Sequence, residues 1–481
     1  MKKLVVIIAV LAILTAIGFC TWRWLDATYV QLERDPIRRD LTQFTITGDS
    51  LPGDGFLQRF YHLSLLDARN VRLSPREFDQ LQQLLPDCEI LWQIPFQGQQ
   101  FPHDTTALTV SSLSAEDQMI IPYFRNLKTV HAENCRDYAV LARFQNEHPQ
   151  LQVLYDVALN GTAYSSTAAQ EVTKLTLQDA DIGELANVLP CFSNLQEVTF
   201  TGKAPDNDAI YALMCQYPKI LFQWELTVLG ITTPNTATNL NFSGIPMEGT
   251  GEVESILKYF PNLEQVEMCD CGISSEEMDA LSQRHPEIRF VWTIKIGRGT
   301  LRTDVTAFIP FKLGHTMDTP LSDKDCNELK YCVDMVCLDM GHMRIKDLSF
   351  LRHMPKLKYL IVADIPCTDF SPLASLTELI YLEIFMTKFT DHELLLGMTK
   401  LEDLNIGATY VKDVSALHQM TGLKRLWLPG VLIDNQQYAD LKAALPNTQI
   451  VRFARHSTDQ GWRNHRNYRD MRDLLGMFYM E

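Results

Sequence analysis

Apolar residues recur every 22 positions along the C-terminal half of the chain. Leu338, Leu360, Leu382, Leu404 and Leu426 form one such series, and Met340, Val362, Ile384, Ile406 and Leu428 form a second, two residues on. Ile345, Cys367, Phe389, Val411 and Ile433 form a third, and a polar series, Asp347, Asp369, Asp391 and Asp413, keeps the same step. Two apolar positions separated by one residue predict a short strand with one side turned inward. A unit of this length buries its apolar side only against the next copy, so the pattern predicts a stack of coils.

A longer interval governs the preceding half. Pro86, Pro149, Pro218 and Pro286 each stand six residues before an aromatic residue, namely Trp92, Tyr155, Trp224 and Trp292. Leu127, Leu195 and Leu263 lie 68 residues apart, close to three times 22. This spacing predicts modules of three coils, one of which carries the aromatic strand. In that strand Ile220, Phe222, Trp224, Leu226 and Val228 alternate with Leu221, Gln223, Glu225 and Thr227. The tryptophans are therefore read as core, and the run is long enough to continue past the sheet. Between coils, residues 254–263 and 275–284 have helical character, with Ser274 or Ser275 as N-cap.

The segment Leu357-Lys-Tyr-Leu-Ile-Val-Ala-Asp-Ile-Pro-Cys-Thr-Asp-Phe-Ser-Pro-Leu-Ala-Ser-Leu-Thr-Glu-Leu379 resembles a leucine-rich repeat of the 22-residue type found in internalin-like bacterial surface proteins. The resemblance implies an α/β solenoid, a leucine-rich repeat horseshoe with a parallel concave sheet of about 17–18 coils, and the apolar run at the N-terminus puts one transmembrane helix before it. The expected divisions are a signal anchor over 1–25, a linker and N-terminal cap over 26–62 and a first array over 63–309. An irregular junction over 310–333, a second array over 334–453 and a capping helix or tail over 454–481 follow. One departure is clear. The family's asparagine position holds Met343, Ile365, Thr387, Thr409 and Val431 in the second array, so the asparagine ladder is absent there.

The N-terminus adds a location. Lys2 and Lys3 precede an apolar run, and the 19 residues from Leu4 to Trp22 would span about 28 Å as a helix, enough to cross a bilayer. Trp22 and Trp24 suit the outer headgroup belt. A retained signal anchor places the rest of the chain outside the cell membrane. A cleavable signal peptide, using Ala16-Ile17-Gly18 as its small-residue site, would release a secreted protein. Cys20 suggests a lipoprotein, but Phe19 stands where that signal needs a small residue. With a net charge of −16 the chain lacks a basic footprint for nucleic acid. Cys135, Cys271 and Cys367 fall in packing slots of the repeat and read as small core residues, not as disulfide or metal partners. Cys269-Asp-Cys271 has no second pair at ligand spacing, so no metal and no cofactor are expected.

Catalytic patterns are missing: there is no glycine-rich phosphate loop, no zinc-protease pair and no nucleophile elbow. His392-Glu393 reads as a surface variation of the repeat. Asn160-Gly-Thr162 and Asn241-Phe-Ser243 match the glycosylation sequon but carry no weight in a chain that resembles bacterial proteins. The chain is read as a non-enzymatic binding protein. In leucine-rich repeats the residues between the core leucines line the concave sheet. On the second array this places Tyr359, Ile361, Tyr381, Glu383, Phe385, Asp403, Asn405, Arg425 and Trp427 on one outward face. Exposed aromatics with a polar rim suit recognition of a protein or a glycan. The alternative is an assembly scaffold for another membrane or envelope protein. In the tail, Tyr468, Met471, Leu475 and Phe478 fall at helical spacing, and Arg463, Arg466, Arg469 and Arg472 recur every third residue. That pattern reads as a helix capping the last coil, or as a basic surface for an anionic polymer or lipid.

Overall fold

The computed structural model describes residues 2–32, 35–53, 55–133, 135–203 and 205–477. Phe478 lies outside the described residues. Two compact units are present, Met1–Trp224 and Glu225–Glu481.

The first unit opens with the helix Lys2–Thr28. Its Val6–Thr28 portion is long and apolar enough to cross a membrane, and none of it is buried against protein. A hairpin of Tyr29–Leu32 with Asp35–Arg38 follows. Solenoid strands begin at Gln43–Thr45, which pairs in parallel with Leu65–Asp67, and that strand pairs with Glu89–Leu91. Ala107–Thr109, Thr129–His131 and Gln152–Leu154 form the next parallel triplet, and Lys174–Gln178, Glu197–Thr201 and Leu221–Gln223 the third. The second unit holds a fourth triplet, Asn239–Asn241, Gln265–Glu267 and Arg289–Val291. A leucine-rich repeat solenoid with an N-terminal apolar helix is thus the architecture.

After each triplet the chain folds into an antiparallel hairpin, so the aromatic run leaves the parallel sheet while its inward residues, such as Ile94, Val157, Leu226 and Ile294, stay buried. The hairpins pair Gln93–Phe96 with Gln99–Pro102, Asp156–Leu159 with Thr162–Ser165, Glu225–Val228 with Ile231–Pro234, and Thr293–Ile296 with Gly299–Arg302. The aromatic residue sits at the bend: Trp92, Tyr155, Trp224 and Trp292 are all buried. Trp92 stacks on Phe78 with ring centroids 4.3 Å apart. Two-residue turns close the hairpins. Asn160 and Gly161 have φ of 49° and 76°, the left-handed pair of a type I′ turn, whose twist matches that of the strands it joins. The Asn160 amide meanwhile donates to the Gln178 carbonyl at 3.1 Å.

One of the two helices expected between coils has the cap its sequence predicts. Ser275–Arg284 starts at Ser274, whose hydroxyl accepts from the Glu277 amide while the Glu277 carboxylate returns to the Ser274 amide. The helix expected over 254–263 instead covers Gly251–Leu257 and starts at Thr250 without a side-chain cap.

Seven parallel strands make up the last sheet: Ala307–Phe308, Cys337–Asp339, Tyr359–Ile361, Tyr381–Glu383, Asp403–Asn405, Arg425–Trp427 and Gln449–Val451. Leu338, Leu360, Leu382, Leu404 and Leu426 stand opposite one another in register, and all five are fully buried. Burying each contributes about 1.5–3 kcal/mol. On the convex side each coil makes a short 3₁₀ turn, and the aspartate series caps it. Oδ1 of Asp347, Asp369, Asp391 and Asp413 accepts from the amides of Ser349, Ser371, Glu393 and Ser415 at 2.8, 2.9, 3.1 and 2.9 Å. Past each strand the backbone turns a corner at His342, Asp364, Met386 and Ala408, with φ of 64°, 53°, 56° and 52°. Left-handed backbone costs a non-glycine residue about 1–2 kcal/mol. In return each corner amide reaches a carbonyl of the next coil, for example Ala408 to Pro429 at 2.7 Å.

The hydroxyls at the family's asparagine position act within their own coil. Thr387 donates to the Ile384 carbonyl and Thr409 to the Ile406 carbonyl, both at 2.7 Å. His392 is not a surface variation: it is buried, and its Nε2 accepts from the Ala416 amide of the following coil at 3.3 Å. Cys135, Cys271 and Cys367 are buried free thiols. Cys271 donates to the Phe242 carbonyl at 3.2 Å.

Candidate recognition face

The nine candidate residues lie together on the seven-stranded sheet, on the side opposite the leucine core. Strand alternation explains this: eight of them flank an inward leucine and Phe385, just past its strand, flanks the inward Ile384, so each side chain points out of the other face. The sheet therefore gathers the aromatic and charged rows as the repeat predicts. Their expected exposure is wrong. Tyr381, Trp427, Glu383, Asp403 and Asn405 are 0% exposed, and Tyr359, Ile361, Phe385 and Arg425 no more than 8%. The cover is the chain's own C-terminal segment.

That segment crosses the face from the last coils back toward the first. The Ser457 carbonyl accepts from Asn405 Nδ2 at 2.8 Å, and the Asp459 carbonyl from Trp427 Nε1 at 2.9 Å. Trp462, itself fully buried, enters a slot between Tyr381 and Trp427, with ring centroids 5.4 and 5.0 Å away. Farther along, the helix Arg466–Leu474 brings Met471 and then Leu475 against the cluster that contains Cys337, Tyr359 and Ile361. The tail does form a helix, as its spacing predicts, but the helix lies across the sheet.

Charged groups order the centre of this contact. Arg425 grips Asp403 in a bidentate pair, Nε to Oδ1 and Nη2 to Oδ2, both at 2.9 Å. Its Nη1 donates to the Trp462 carbonyl at 2.7 Å, and the guanidinium lies 4.4 Å from the Trp462 ring centroid. Asp403 Oδ2 also meets His465 Nδ1 at 2.9 Å and accepts from Asn467 Nδ2 at 3.0 Å. Glu383 accepts from Trp462 Nε1 at 2.7 Å, pairs with Arg463 at 3.3 Å and accepts a short hydrogen bond from the Tyr381 hydroxyl. Burial, followed by the nearby Glu383 charge, pushes the Tyr381 phenol well above its ordinary range.

Asp339, at the edge of this network, accepts from the Gly341 amide at 3.0 Å. Burial, reinforced by Glu383, pushes its carboxyl up to about 6 from an ordinary 3.8. The folded state then holds this proton to higher pH than the unfolded chain does. The group favours folding most at low pH, and its contribution is lost as pH rises from about 4 to about 6. Asp339→Asn is therefore expected to gain stability over the parent across that window and to keep the gain above it. Thermal melts at stepped pH check this, and a difference constant from pH 4 to pH 7 would contradict it.

The partners of this face that sequence reasoning did not name are Trp462, His465 and Asn467, while Met471 and Leu475 were read as a helical stripe without being placed against the sheet. A signal for them exists. Trp462, Met471 and Leu475 are apolar residues in a polar tail, and Arg463 and His465 beside Trp462 meet Glu383 and Asp403. Among the described residues no group of His, Cys, Asp and Glu side chains is placed to hold a metal ion.

No family model matches the chain, and no curated protein matches it. Among solved structures, an internalin from Listeria monocytogenes is similar at 14% identity over 86% of this chain and 82% of its own, with a TM-score of 0.25. Internalin C2 of the same organism matches at 20% identity over 44% of this chain and 79% of its own, with a TM-score of 0.26. A leucine-rich repeat protein of Leptospira interrogans matches at 14% identity over 84% of this chain and 93% of its own, with a TM-score of 0.28. The fold assignment rests on the strand register above and not on these likenesses.

Proposed function

We propose that this chain is a non-catalytic recognition protein, held to a membrane by its N-terminal helix, whose second-array concave face binds polypeptide. One observation carries the reading: the face already holds a polypeptide, its own tail. It does so with an indole slot, carboxylates that meet cations, and side-chain donors aimed at main-chain carbonyls. Buried Trp, Tyr and Arg at the centre of a contact are the residues that carry binding energy between proteins. Glu383 and Asp403 receive N–H donors here, and this favours a protein ligand over a glycan. Nucleic acid is disfavoured by the same carboxylates and by the net charge of −16.

Probing the immobilised full chain side by side with a displayed random-peptide library and a glycan array tests the reading. Retention of peptides that is lost on Glu383→Ala supports it. Binding of glycans alone, or peptide retention indifferent to Glu383, contradicts it. For the anchor, Val6–Thr28 supplies the length and the exposed Trp22 and Trp24 the interfacial belt. N-terminal sequencing of the exported protein is expected to find the helix intact, with residues 26–481 outside. A new N-terminus at Phe19 would instead mean secretion.

A further inference from the structure

We infer that the slot holding Trp462 is the specificity pocket of the concave face, that it takes a tryptophan next to a basic residue from a partner polypeptide, and that the C-terminal segment is its resident competitor. The inference rests on the recognition reading above and adds the ligand's chemistry and the site's regulation.

The ligand chemistry follows from the walls of the slot. Tyr381 and Trp427 flank an indole with rings tilted by 31° and 50°, and Glu383 accepts its N–H at 2.7 Å. A phenyl ring would remove one of the donors to that buried carboxylate, leaving its Oε1 the Tyr381 hydroxyl alone, so the slot favours indole over other rings. The second oxygen of Glu383 faces Arg463 at 3.3 Å. Arg425 caps the indole from above, 4.4 Å from its centroid, and donates to the same residue's carbonyl. Ring, N–H, carbonyl and neighbouring charge are all read, and together they define a Trp–cation unit in a peptide backbone.

Exchange of the resident segment follows from the chemistry of the contact. Charge is a poor way to fasten a permanently covered contact, since apolar residues of similar volume often hold a buried site equally well or better. This face instead keeps Glu383, Asp403 and Arg425, all of which are readily hydrated when uncovered. The covering helix Arg466–Leu474 spans nine residues, too short to persist undocked. Its connection to the last coil is irregular chain in which Phe453 is 77% exposed. The segment is thus fastened by the face it covers and by irregular chain.

The test uses the full chain in detergent or nanodiscs, with a fluorescent synthetic peptide of residues 455–477 as probe. Hydrogen exchange is read first on the parent. Amides of 462–475 are expected to exchange well before those of Tyr381–Glu383 and Asp403–Asn405. Equal protection would show the segment to be ordinary core and would overturn the competitor role, even if the face binds peptide. Arg463→Glu, a change at a partly exposed residue that repels Glu383, is then used to open the segment. The probe is expected to bind this variant at least tenfold more tightly than the parent, and a probe with Trp462→Ala is expected to lose that gain. An opened variant that ignores the probe would overturn the recognition reading itself. A phenylalanine-for-tryptophan probe that binds equally well would overturn the indole specificity. Parent dimers formed by exchanging tails would make a second copy the partner, and would overturn the heterologous ligand.

Discussion

Replacing Tyr381, Phe385 and Trp427 together by alanine is expected to lower the melting temperature sharply and to free the C-terminal segment. Outward-pointing rings on a bare sheet would be dispensable for folding. These rings are not bare: Tyr381 and Trp427 are fully buried and Phe385 is 4% exposed. Truncating a buried Phe or Trp to alanine typically costs about 3–5 kcal/mol, through lost transfer energy and the cavity left behind. The losses couple here, because Tyr381 and Trp427 grip the same Trp462 ring, and coupled losses do not add. Trypsin should then cut at Arg463 and Arg466 well below the melting temperature of the array. An unchanged melting temperature would show that the segment contributes nothing to the fold.

The second large effect lies on the other side of the sheet. Leu404→Asp, and likewise Leu382→Asp, is expected to destabilise several coils at once. Leu404 pairs in register with Leu382 and Leu426, and all three are fully buried. A carboxylate there has no partner, and an unpaired buried polar group costs several kcal/mol, on the order of 2–7. Coils in a solenoid are stabilised by their neighbours, so the damage spreads to both sides. Limited proteolysis should release fragments cut between residues 360 and 450. Unchanged resistance would mean that the 22-residue register does not describe the stack.

The leucine lattice was legible because the repeat length equals the strand offset: each residue pairs with the one 22 positions on, so sequence spacing maps directly onto contact. The aspartate series was visible for the same reason, and its role as the 3₁₀ cap needed only the turn that follows it. The hairpins were less legible, since a run such as Phe222 to Val228 alternates identically whether it stays in a parallel sheet or folds back. Asn160-Gly161 was the available sign, a dipeptide suited to two left-handed residues in a row. The covering of the concave face could not be read from periodicity at all. Alternation fixes which way Tyr381 or Trp427 points, not what lies above it. The sign lay 79 residues from Glu383, in Trp462, and joining the two required charge and ring complementarity between segments remote in sequence.

The account turns on where Trp462 lies. Substituting position 462 with the photoreactive residue benzoylphenylalanine in the full chain, irradiating and mapping the adducts by mass spectrometry measures this directly. The account predicts adducts within the same chain at Tyr381–Glu383 or Arg425–Trp427. Adducts confined to another protein chain, or to residues outside the seven-stranded sheet, would contradict it.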